Sequence, residues 1–506
     1  MSYPFKTPPF SHQLSTWGES KDRDFFLVFW EQGTGKTKLT IDTAGWKFLR
    51  GEIDGILVLA PNGVHRNWIT DELPTHLPDV IAKDAHTVCY RTQSAKTKWQ
   101  QALLKENLAN KGLSVLAMSY DAITTEAGKK ASWDFLRTRK VMIVLDEAAY
   151  LKNPGADRTK VVSKVAKYAK VKWLLTGTPV PKGPFDVWSL VNIASPTFWE
   201  AHHLAKFMLF KLHFGVWKKG FNNGREFQQL VAYRRVDELS EIIKPISTRV
   251  LKEEVLDLPE KLYQRRYFEL EPKQRKIYEE MKELAIVQLG EQEATAPLVI
   301  SRMLRLHQIS CGYLPTDDGE MVELLSPSEN PRLKLLKDCL KECQGKSIIW
   351  ARFRKDIDNI EQMLLDIGRR PVRYDGSTSD ADRAEAIARF QGRRPLMDGA
   401  GRGFEIVPED EQATDFVGNP QAAGTGLTLH AASFVYYYNN SFDLAQRLQS
   451  EDRAHRIGQK NNVTYIDLVG IDTIDEHIVR SLITKFDVAT QILKDPAELR
   501  KWLQKS

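Results

Sequence analysis

The length, composition and charge of the chain predict a multidomain globular protein and exclude several classes. Its 506 residues exceed what one hydrophobic core organises, so two to four domains are expected. No apolar run approaches the roughly 20 residues that a membrane span needs, so no membrane partner is expected. Four cysteines argue against a disulfide framework and for a reducing compartment. The formal net charge is only +6, so nucleic-acid binding would need positive charge concentrated in a cleft.

The stretch Phe25 to Thr40 carries the first motif. Its apolar, aromatic beginning, Phe25 to Trp30, predicts a buried strand. The glycine-containing segment Gly33-Thr34-Gly35 follows, and Lys36 with Thr37 then opens a predicted helix. This order of elements is the pattern of a nucleotide-phosphate cradle, in which Lys36 reaches the β- and γ-phosphates and Thr37 ligates Mg²⁺. Trp30 stands where that pattern begins with glycine, and a simple glycine turn is the alternative.

Further apolar runs predict the rest of a first sheet. They are Gly55 to Pro61, Leu113 to Met118, Val141 to Leu145 and Trp173 to Pro179. Because predicted helices alternate with these strands, we expect a parallel sheet whose ligands bind at the carboxyl ends of the strands.

Two polar features accompany these strands. Asp146 and Glu147 directly follow the fourth strand, where Asp146 would hold Mg²⁺ and Glu147 would orient or deprotonate the attacking water. The alternative is a solvent-exposed acidic pair, but its position after a phosphate loop in the same sheet favours the functional interpretation.

Gln13, upstream of the loop, offers a donor and an acceptor that could read adenine, although a glutamine on a helix surface is the commoner explanation.

The remaining chain predicts a helical middle and a second α/β unit. Helical spacing dominates from Ser195 to about Asn330, interrupted by a linker at Leu258 to Glu260 and a predicted strand from Tyr263 to Leu270. We therefore predict a first lobe at 1–194, a helical protrusion at 195–257 and a linker with a second helical protrusion, packed on the second lobe, at 258–330. The second lobe is predicted at 331–480, with a surface insertion at 391–412, and a C-terminal helical tail at 481–506.

Six motifs in a fixed order resemble a known family. They are GTGKT, DEAA followed by LKN, LTGTP, DGST, AAGTGLTL and EDRAHRIGQ. The series resembles the Swi/Snf-related ATPases of helicase superfamily two, and most of all their compact viral and bacterial members. DRAHRIGQ is the most specific motif, and the resemblance extends from Pro9 to Asp487. It implies a cytoplasmic enzyme of a bacterium or of a virus-infected host cell, and a monomer is favoured.

The resemblance implies an α/β fold of two RecA-like parallel-sheet lobes, with helical insertions between them and ATP bound between the lobes. It assigns an adenine contact to Gln13, the water and metal roles to Asp146 and Glu147, and arginine fingers to Arg453 and Arg456. The residues implied to bind phosphate and Mg²⁺ or to line the nucleotide cleft are Gly33, Thr34, Gly35, Lys36, Thr37, Gly424 and Gly426. A guanidinium beside the γ-phosphate stabilises the charge that develops during hydrolysis.

The family's substrate implies a second set of residues. Its members track double-stranded DNA along the backbone, with forked or branched DNA as a further substrate. The positions implied to contact the backbone are Asn62, Trp68, Ser119, Ser377 and Thr378. Such contacts give sequence-independent, salt-sensitive binding. Helix capping is the alternative for each serine and threonine.

The sequence predicts an ATP-dependent translocase on duplex DNA. A strand-separating or strand-annealing helicase acting on forked DNA shares every ATPase residue and is the alternative. A DNA-binding module without hydrolysis is a third class, but the intact Lys36, Asp146 and Glu147 argue against it. The chain departs from the family pattern at Ala148-Ala149, where Gly-His is usual, and at Pro181-Lys182, where Gln-Asn is usual.

Overall fold

The computed structural model describes residues 3–62, 64–177, 183–222, 225–255, 257–290, 296–316, 320–342, 345–395, 404–422, 427–456 and 458–493. The chain divides into two compact units. Lobe 1 is built chiefly from residues 1–218 and 230–257, and lobe 2 chiefly from residues 258–487.

Lobe 1 is organised around a parallel sheet. The strands described in this part of the chain are β1 (Phe25–Trp30), β2 (Gly55–Ala60), β3 (His86–Cys89), β4 (Ser114–Ser119), β5 (Val141–Asp146), β6 (Val171–Leu175), β7 (Gly215–Asn222), β8 (Arg225–Tyr233) and β9 (Ser247–Val250). Seven of them form one sheet in the order β3-β4-β2-β5-β6-β1-β9, with parallel pairing throughout. The order brings the carboxyl ends of β4, β2, β5 and β1 to one edge.

Helices cover both faces of this sheet, so its strands are nearly continuous apolar runs. Alternate residues of β1 enter two separate cores, with Leu27 and Phe29 in one and Val28 and Trp30 in the other. The helices described are α1 (Ser11–Ser20), α2 (Lys36–Leu49), α3 (Val64–Asn67), α4 (Leu73–His76), α5 (Asp79–Ala82), α6 (Lys98–Ala109), α7 (Glu126–Thr138), α8 (Asp157–Ala166), α9 (Phe185–Ala194), α10 (Phe198–Ala201), α11 (Phe207–Phe214), α12 (Val236–Ile243) and α13 (Lys252–Val255).

The region 195–257, predicted as a helical protrusion, contains three strands as well as helices. Strands β7 and β8 form a separate two-stranded sheet, and β9 pairs with β1 as the edge strand of lobe 1. The stretch around Trp217 and Val231 is rich in aromatic and β-branched residues, which favour strands over helices. The edge strand β9 was missed because four residues are too few to show a period.

Lobe 2 contains a second parallel sheet. The strands described are β10 (Lys261–Phe268), β11 (Tyr313–Pro315), β12 (Met321–Glu323), β13 (Lys346–Trp350), β14 (Pro371–Tyr374), β15 (Arg393–Pro395), β16 (Phe404–Ile406), β17 (Asp415–Gly418), β18 (Ala432–Tyr437) and β19 (Val463–Gly470). Six form one parallel sheet in the order β10-β19-β18-β13-β17-β14. The predicted α/β fold with two parallel-sheet lobes is confirmed.

The helices of lobe 2 complete its layers. Those described are α14 (Pro272–Gly290), α15 (Ala296–Ser310), α16 (Pro331–Glu342), α17 (Arg354–Asp366), α18 (Asp380–Gln391), α19 (Leu444–Glu451) and α20 (Ile474–Leu493). The region 258–330 supplies β10 to the sheet, where a strand was predicted from Tyr263 to Leu270, as well as two helices. The predicted insertion at 391–412 contains the paired strands β15 and β16. Among the described residues, no helix is long and apolar enough to span a bilayer.

Candidate nucleotide and nucleic-acid sites

The predicted phosphate loop joins β1 to α2. Gly33 and Gly35 have φ angles of 83° and 87°, a left-handed conformation that favours glycine. A Cβ atom on Gly35 would lie 1.9 Å from Nε2 of Gln13, so a larger residue there would displace that side chain. Helix α2 begins at Lys36 directly after the loop. The first N–H groups of a helix lack acceptors within it, so this end of α2 suits phosphate oxygens.

Lys36 lies inside the curl of the loop. Its Nζ donates to the carbonyl oxygens of Trp30 and Glu31, over 2.8 and 3.0 Å. The Thr34 hydroxyl also donates to the Glu31 carbonyl, over 2.7 Å, and Thr37 is half-buried at the start of α2. The loop therefore surrounds the ammonium group of Lys36 and holds it through backbone carbonyls.

Helix α1 braces the same loop. Gln13 is buried, its Oε1 accepts from the Phe10 N–H over 2.9 Å, and its Nε2 donates to the Gly35 carbonyl over 3.3 Å. A ring nitrogen of His12 lies 2.9 Å from the Thr34 carbonyl oxygen. Gln13 thus lies beside the loop, and its predicted adenine contact stays a prediction.

Asp146 ends β5 and is buried. Its Oδ2 accepts from the Trp68 indole N–H and its Oδ1 from the Glu147 backbone N–H, each over 2.9 Å. Its own carbonyl oxygen accepts from the Tyr120 hydroxyl over 2.8 Å. Burial raises the pKa of Asp146, while the Trp68 hydrogen bond and the nearby Lys36 charge lower it. Hydrogen bonds to both carboxylate oxygens and to the backbone carbonyl therefore hold Asp146 in one orientation.

Glu147 connects the acidic pair to the phosphate loop. Its backbone has a left-handed φ of 51°, and its Oε1 accepts from Gln32 Nε2 over 2.9 Å. Because Gln32 belongs to the loop after β1, this bond joins two predicted parts of the site that are far apart in sequence. No local sequence pattern singles out Gln32 as a site residue.

The donor set fits a magnesium ion that arrives with a nucleotide. Mg²⁺ keeps several waters and commonly takes one or two protein oxygens together with substrate phosphates. The Thr37 hydroxyl and the buried Asp146 carboxylate beside Lys36 are oxygens of this kind. Among the described residues, no group of three or more His, Cys, Asp and Glu side chains could hold a metal on its own.

A further lysine approaches the phosphate loop. Lys252 of α13 is buried, its backbone N–H donates to Glu31 Oε2 over 2.7 Å, and its Cε lies 3.8 Å from where a Cβ on Gly33 would stand. Sequence reasoning missed it because a lysine next to two glutamates is usually part of a solvated face.

In lobe 2, the two predicted arginine fingers meet at one carbonyl. Nη1 of Arg453 and Nη1 of Arg456 both donate to the Leu427 carbonyl, over 3.3 and 3.1 Å. Arg453 is buried, and burial lowers the pKa of Arg456. Gly424 and Gly426, predicted to line the nucleotide cleft, lie outside the described residues.

Other polar residues around this motif hold lobe 2 together. Arg447 is buried, contacts Asp467, and donates to Glu451 Oε1 over 2.8 Å. Gln459 Nε2 donates to three carbonyl oxygens, of His430, Ala432 and Ala454. Many of the polar residues that make this segment distinctive in sequence therefore stabilise the packing of lobe 2.

Comparison with known proteins agrees with this arrangement. A family model described as SNF2-related domain matches residues 18–312, more than half of the chain, and one described as Helicase conserved C-terminal domain matches residues 331–458. The chain belongs to the SNF2-related family. The sequence-based resemblance is thereby confirmed.

Two curated relatives of this SNF2-related chain are distant from it and longer. It is 23% identical over 471 residues to an "Uncharacterized ATP-dependent helicase" of Mycoplasma pneumoniae, covering 92% of this chain and 40% of that protein. It is 25% identical over 489 residues to mouse "DNA annealing helicase and endonuclease ZRANB3", covering 93% and 39%. The chain thus spans about two fifths of the length of these curated relatives. Among solved structures, the Sulfolobus solfataricus SWI2/SNF2 ATPase core in complex with dsDNA matches with a TM-score of 0.41, 22% identity and coverage of 99% and 98%.

The predicted backbone contacts of lobe 1 in this SNF2-related protein separate into two kinds. Asn62 is exposed, and its Nδ2 donates to Asp121 Oδ2 over 3.0 Å. Trp68 is buried, and its indole N–H donates to Asp146 rather than toward the surface, so the predicted DNA contact of this loop stays a prediction. Ser119 is also buried, and its Oγ accepts from the Ala122 N–H over 3.1 Å.

The predicted contacts of lobe 2 lie on a turn built around Asp375. The backbone N–H and the hydroxyl of Ser377 both donate to Asp375 Oδ1, over 2.8 and 2.6 Å. Thr378 Oγ1 accepts from the Asp375 N–H over 3.0 Å. The Ser377 bonds and the Arg373 guanidinium hold the pKa of the Asp375 carboxyl well below its usual range, against the effect of burial.

This turn borders an open pocket of about 500 Å³. Its lining includes the exposed side chains of Arg352 and Arg354, together with Ser377 and Asn419. Sequence reasoning missed both arginines, because isolated arginines at a strand end and a helix start resemble ordinary solvated charges. The pocket is also lined by Asp375, whose carboxylate already accepts from Ser377 and pairs with Arg373, so the guanidinium groups of Arg352 and Arg354 are the ones that suit phosphate oxygens.

Proposed function

We propose that the protein is an ATP-hydrolysing motor that moves along double-stranded DNA. The observation that carries the ATPase part is the hydrogen bond between Gln32 and Glu147, since it joins a glycine-rich phosphate loop to a strand-end acidic pair. An acid beside the phosphate loop is the arrangement by which phosphate-loop enzymes hydrolyse nucleotides.

In lobe 1, each side chain has a defined task. Lys36 exchanges its bonds to the Trp30 and Glu31 carbonyls for phosphate oxygens. Asp146 and Thr37 are the residues that would hold Mg²⁺, which would supply neutralisation of the phosphate charge. Glu147, held by Gln32, orients the attacking water and takes its proton.

In lobe 2, Arg453 and Arg456 supply the guanidinium groups that stabilise charge at the γ-phosphate. Such arginines contribute about 10³-fold or more to the rate in related chemistry.

The DNA substrate is supported by the pocket beside Ser377. Arg352 and Arg354 present positive charge there, while the Ser377 N–H and hydroxyl on the bordering turn are donated to Asp375. The two guanidinium groups suit the sugar-phosphate backbone, which gives binding without sequence preference. Asn62 provides an exposed amide in lobe 1 for the same backbone.

The test compares ATP hydrolysis with duplex DNA, single-stranded DNA, forked DNA and RNA. We expect duplex DNA to stimulate hydrolysis most, and Lys36→Met to lower the rate by about 10²-fold or more. Lys337→Met, which removes an exposed lysine of α16, serves as the control. Retained turnover in Lys36→Met would remove the ATPase assignment, and stronger stimulation by single strands would remove the duplex assignment.

A second candidate, strand separation or annealing at a DNA fork, is favoured by the β7–β8 hairpin. It belongs to neither large sheet and presents the adjacent exposed lysines Lys218 and Lys219. Its base is fixed by the Trp217 ring, which stacks on Phe185 with centroids 6.1 Å apart. Strand displacement on forked DNA that falls in Lys218→Ala and Lys219→Ala, with duplex-stimulated hydrolysis unchanged, would support this candidate.

We also infer a reducing cytoplasm as the site of action, in a bacterium or a virus-infected host cell. The support is the low cysteine content and the unpaired Cys89, Cys311 and Cys339. Retention in the soluble fraction after cell lysis, with free thiols on labelling, is the expected result.

A further inference from the structure

Two aromatic side chains reach Asp146 from the ends of neighbouring strands. Trp68 follows β2 and donates to the Asp146 carboxylate, while Tyr120 follows β4 and donates to its backbone carbonyl. Strands β4, β2 and β5 are consecutive in the sheet, so the segments after β4 and β2 lie next to the end of β5. The predicted metal-binding residue is therefore held through both its side chain and its main chain.

Trp68 has an unusual backbone setting. It begins a π-helical turn, Trp68–Glu72, between α3 and α4, and such turns occur often at functional sites. The indole is buried and has a single donor, which is directed at Asp146 Oδ2. With the Glu147 N–H on Oδ1, both carboxylate oxygens have a fixed orientation.

Tyr120 begins a chain of contacts that ends at the surface. Its ring stacks on Tyr150 with centroids 5.9 Å apart, and the Arg158 guanidinium lies 5.7 Å from the centre of the Tyr150 ring. Arg158 Nη2 donates to Asp121 Oδ1 over 2.7 Å. The other oxygen of Asp121 accepts from Asn62, the exposed amide predicted to meet DNA.

We propose that Trp68 and Tyr120 are positioning residues for Asp146, and that Tyr120 links the Asn62–Asp121 pair to it when a nucleic-acid backbone binds. The link rests on the proposed function. A phosphate beside Asn62 competes with Asp121 for the amide and for the Arg158 guanidinium, because both groups donate to anions. Movement of Arg158 then changes the stacking on Tyr150, and with it the Tyr120 hydroxyl at the Asp146 carbonyl.

The positioning role of Trp68 is tested by Trp68→Phe with Trp173→Phe as the matched control. Trp173 is also buried in lobe 1, but its indole N–H makes no hydrogen bond within the described part of the chain. Binding of Mn²⁺ to the ADP-loaded protein is measured by electron paramagnetic resonance. Losing a partner of a metal ligand typically weakens metal binding by about 10- to 100-fold.

We expect weakening of this size in Trp68→Phe and unchanged binding in Trp173→Phe, with ADP affinity measured separately without metal. Equal Mn²⁺ affinity in Trp68→Phe and the wild type would overturn the positioning role. Equal losses in both variants would also overturn it, since the effect would then come from the smaller ring.

The link through Tyr120 is tested by Tyr120→Phe, which keeps the stacked ring and removes the hydroxyl. We expect duplex DNA to bind with wild-type affinity but to stimulate ATP hydrolysis at least about 5-fold less. Full stimulation in Tyr120→Phe would overturn the link. If no nucleic acid stimulates the wild type, the proposed function and the link both fail, while the Mn²⁺ measurement still decides the positioning role of Trp68.

Discussion

Gln32 of the phosphate loop donates to the carboxylate of Glu147 over 2.9 Å, across more than one hundred residues of sequence. The bond fixes the acidic side chain while its backbone holds a left-handed φ of 51°. Non-glycine residues in this conformation are uncommon and are found where surrounding contacts stabilise them. The orientation of Glu147 therefore depends on the same loop that we propose to bind the nucleotide phosphates.

Gln32→Leu is expected to lower kcat for ATP hydrolysis by about 10-fold or more, with a smaller change in KM. The substitution keeps the approximate size of the side chain and removes the donor, so Glu147 loses its orientation toward water. Steady-state hydrolysis at saturating DNA measures the effect. A matched change is Gln101→Leu on α6, outside the loop, which should leave kcat unaltered. Unchanged kcat in Gln32→Leu would mean that Glu147 is oriented by other contacts.

Arg456→Ala is expected to keep nucleotide binding and to lower hydrolysis by about 10³-fold, the typical contribution of an arginine finger. Fluorescent-nucleotide binding and single-turnover hydrolysis separate the two effects. Arg370→Ala, which removes an exposed arginine bonded to the carbonyls of Gln412 and Glu409, is the lobe 2 control. Normal hydrolysis in Arg456→Ala would exclude it as a finger.

Arg354→Ala is expected to weaken duplex binding equally for all sequences and to reduce the slope of log K against log salt by about 1. One phosphate contact contributes about 0.9 to this slope on B-form DNA. Arg354 is exposed at the pocket beside Ser377. Lys337→Ala removes an exposed charge that does not line the pocket and should leave the slope unchanged. The same slope in Arg354→Ala and the wild type would argue against a phosphate contact.

Arg332→Leu is expected to destabilise lobe 2 by about 3–5 kcal/mol, the usual cost of removing one partner of a buried ion pair. Arg332 is fully buried, forms an ion pair with Asp475, and donates to Ser310 Oγ over 3.0 Å. It also lies 4.9 Å from the Phe268 ring. Chemical denaturation monitored by circular dichroism measures the loss. A change below 1 kcal/mol would show that the pair adds little.

Two buried groups in lobe 2 predict opposing pH effects on its stability. Burial, with Arg332 and Arg352 nearby, lowers the pKa of His307 to about 3 despite Asp475. The stability from neutral His307 is therefore present above about 6.5 and is lost as the pH falls toward 3. Burial raises the pKa of Asp356 to about 7. The stability contributed by protonated Asp356 is complete below about pH 3.9 and is lost as the pH rises through 7.

Asp356→Asn removes the pH dependence of stability that comes from Asp356 and leaves the opposing dependence that comes from His307. Between pH 6.5 and 4, the free energy of unfolding should then fall more steeply on acidification, by up to about 1.4 kcal/mol per pH unit relative to the wild type. Thermal unfolding across this range measures the slope. Parallel curves for variant and wild type would contradict the raised pKa of Asp356.

The sequence predicted the parts of the fold that depend on long apolar runs and on local motifs. Strands β2 and β5 were visible because buried parallel strands are continuously apolar. Strands β3 and β9 were not, since four residues cannot establish a period. The phosphate loop and the pair Asp146-Glu147 were predictable because their chemistry depends on residues adjacent in sequence.

Contacts between distant segments could not be predicted in this way. The loop of Trp68 was predicted to contact DNA, but the hydrogen bond from the indole to Asp146 joins segments far apart in sequence and had no local signal. Lys252 and Gln32 carry no local signal, because their places in the site come from the position of β9 beside β1 and of β5 in the same sheet. The arginines at Leu427 were predictable only through a motif learned from a whole family.

The edge position of β9 also determines how lobe 1 can be produced alone. A fragment ending at residue 194 would leave the hydrogen-bonding groups of β1 unpaired along the whole side that β9 covers. Open edges of this kind recruit other chains and promote aggregation. A fragment extended to residue 257 retains β9 and is the sensible starting point for isotope labelling or crystallisation of this lobe.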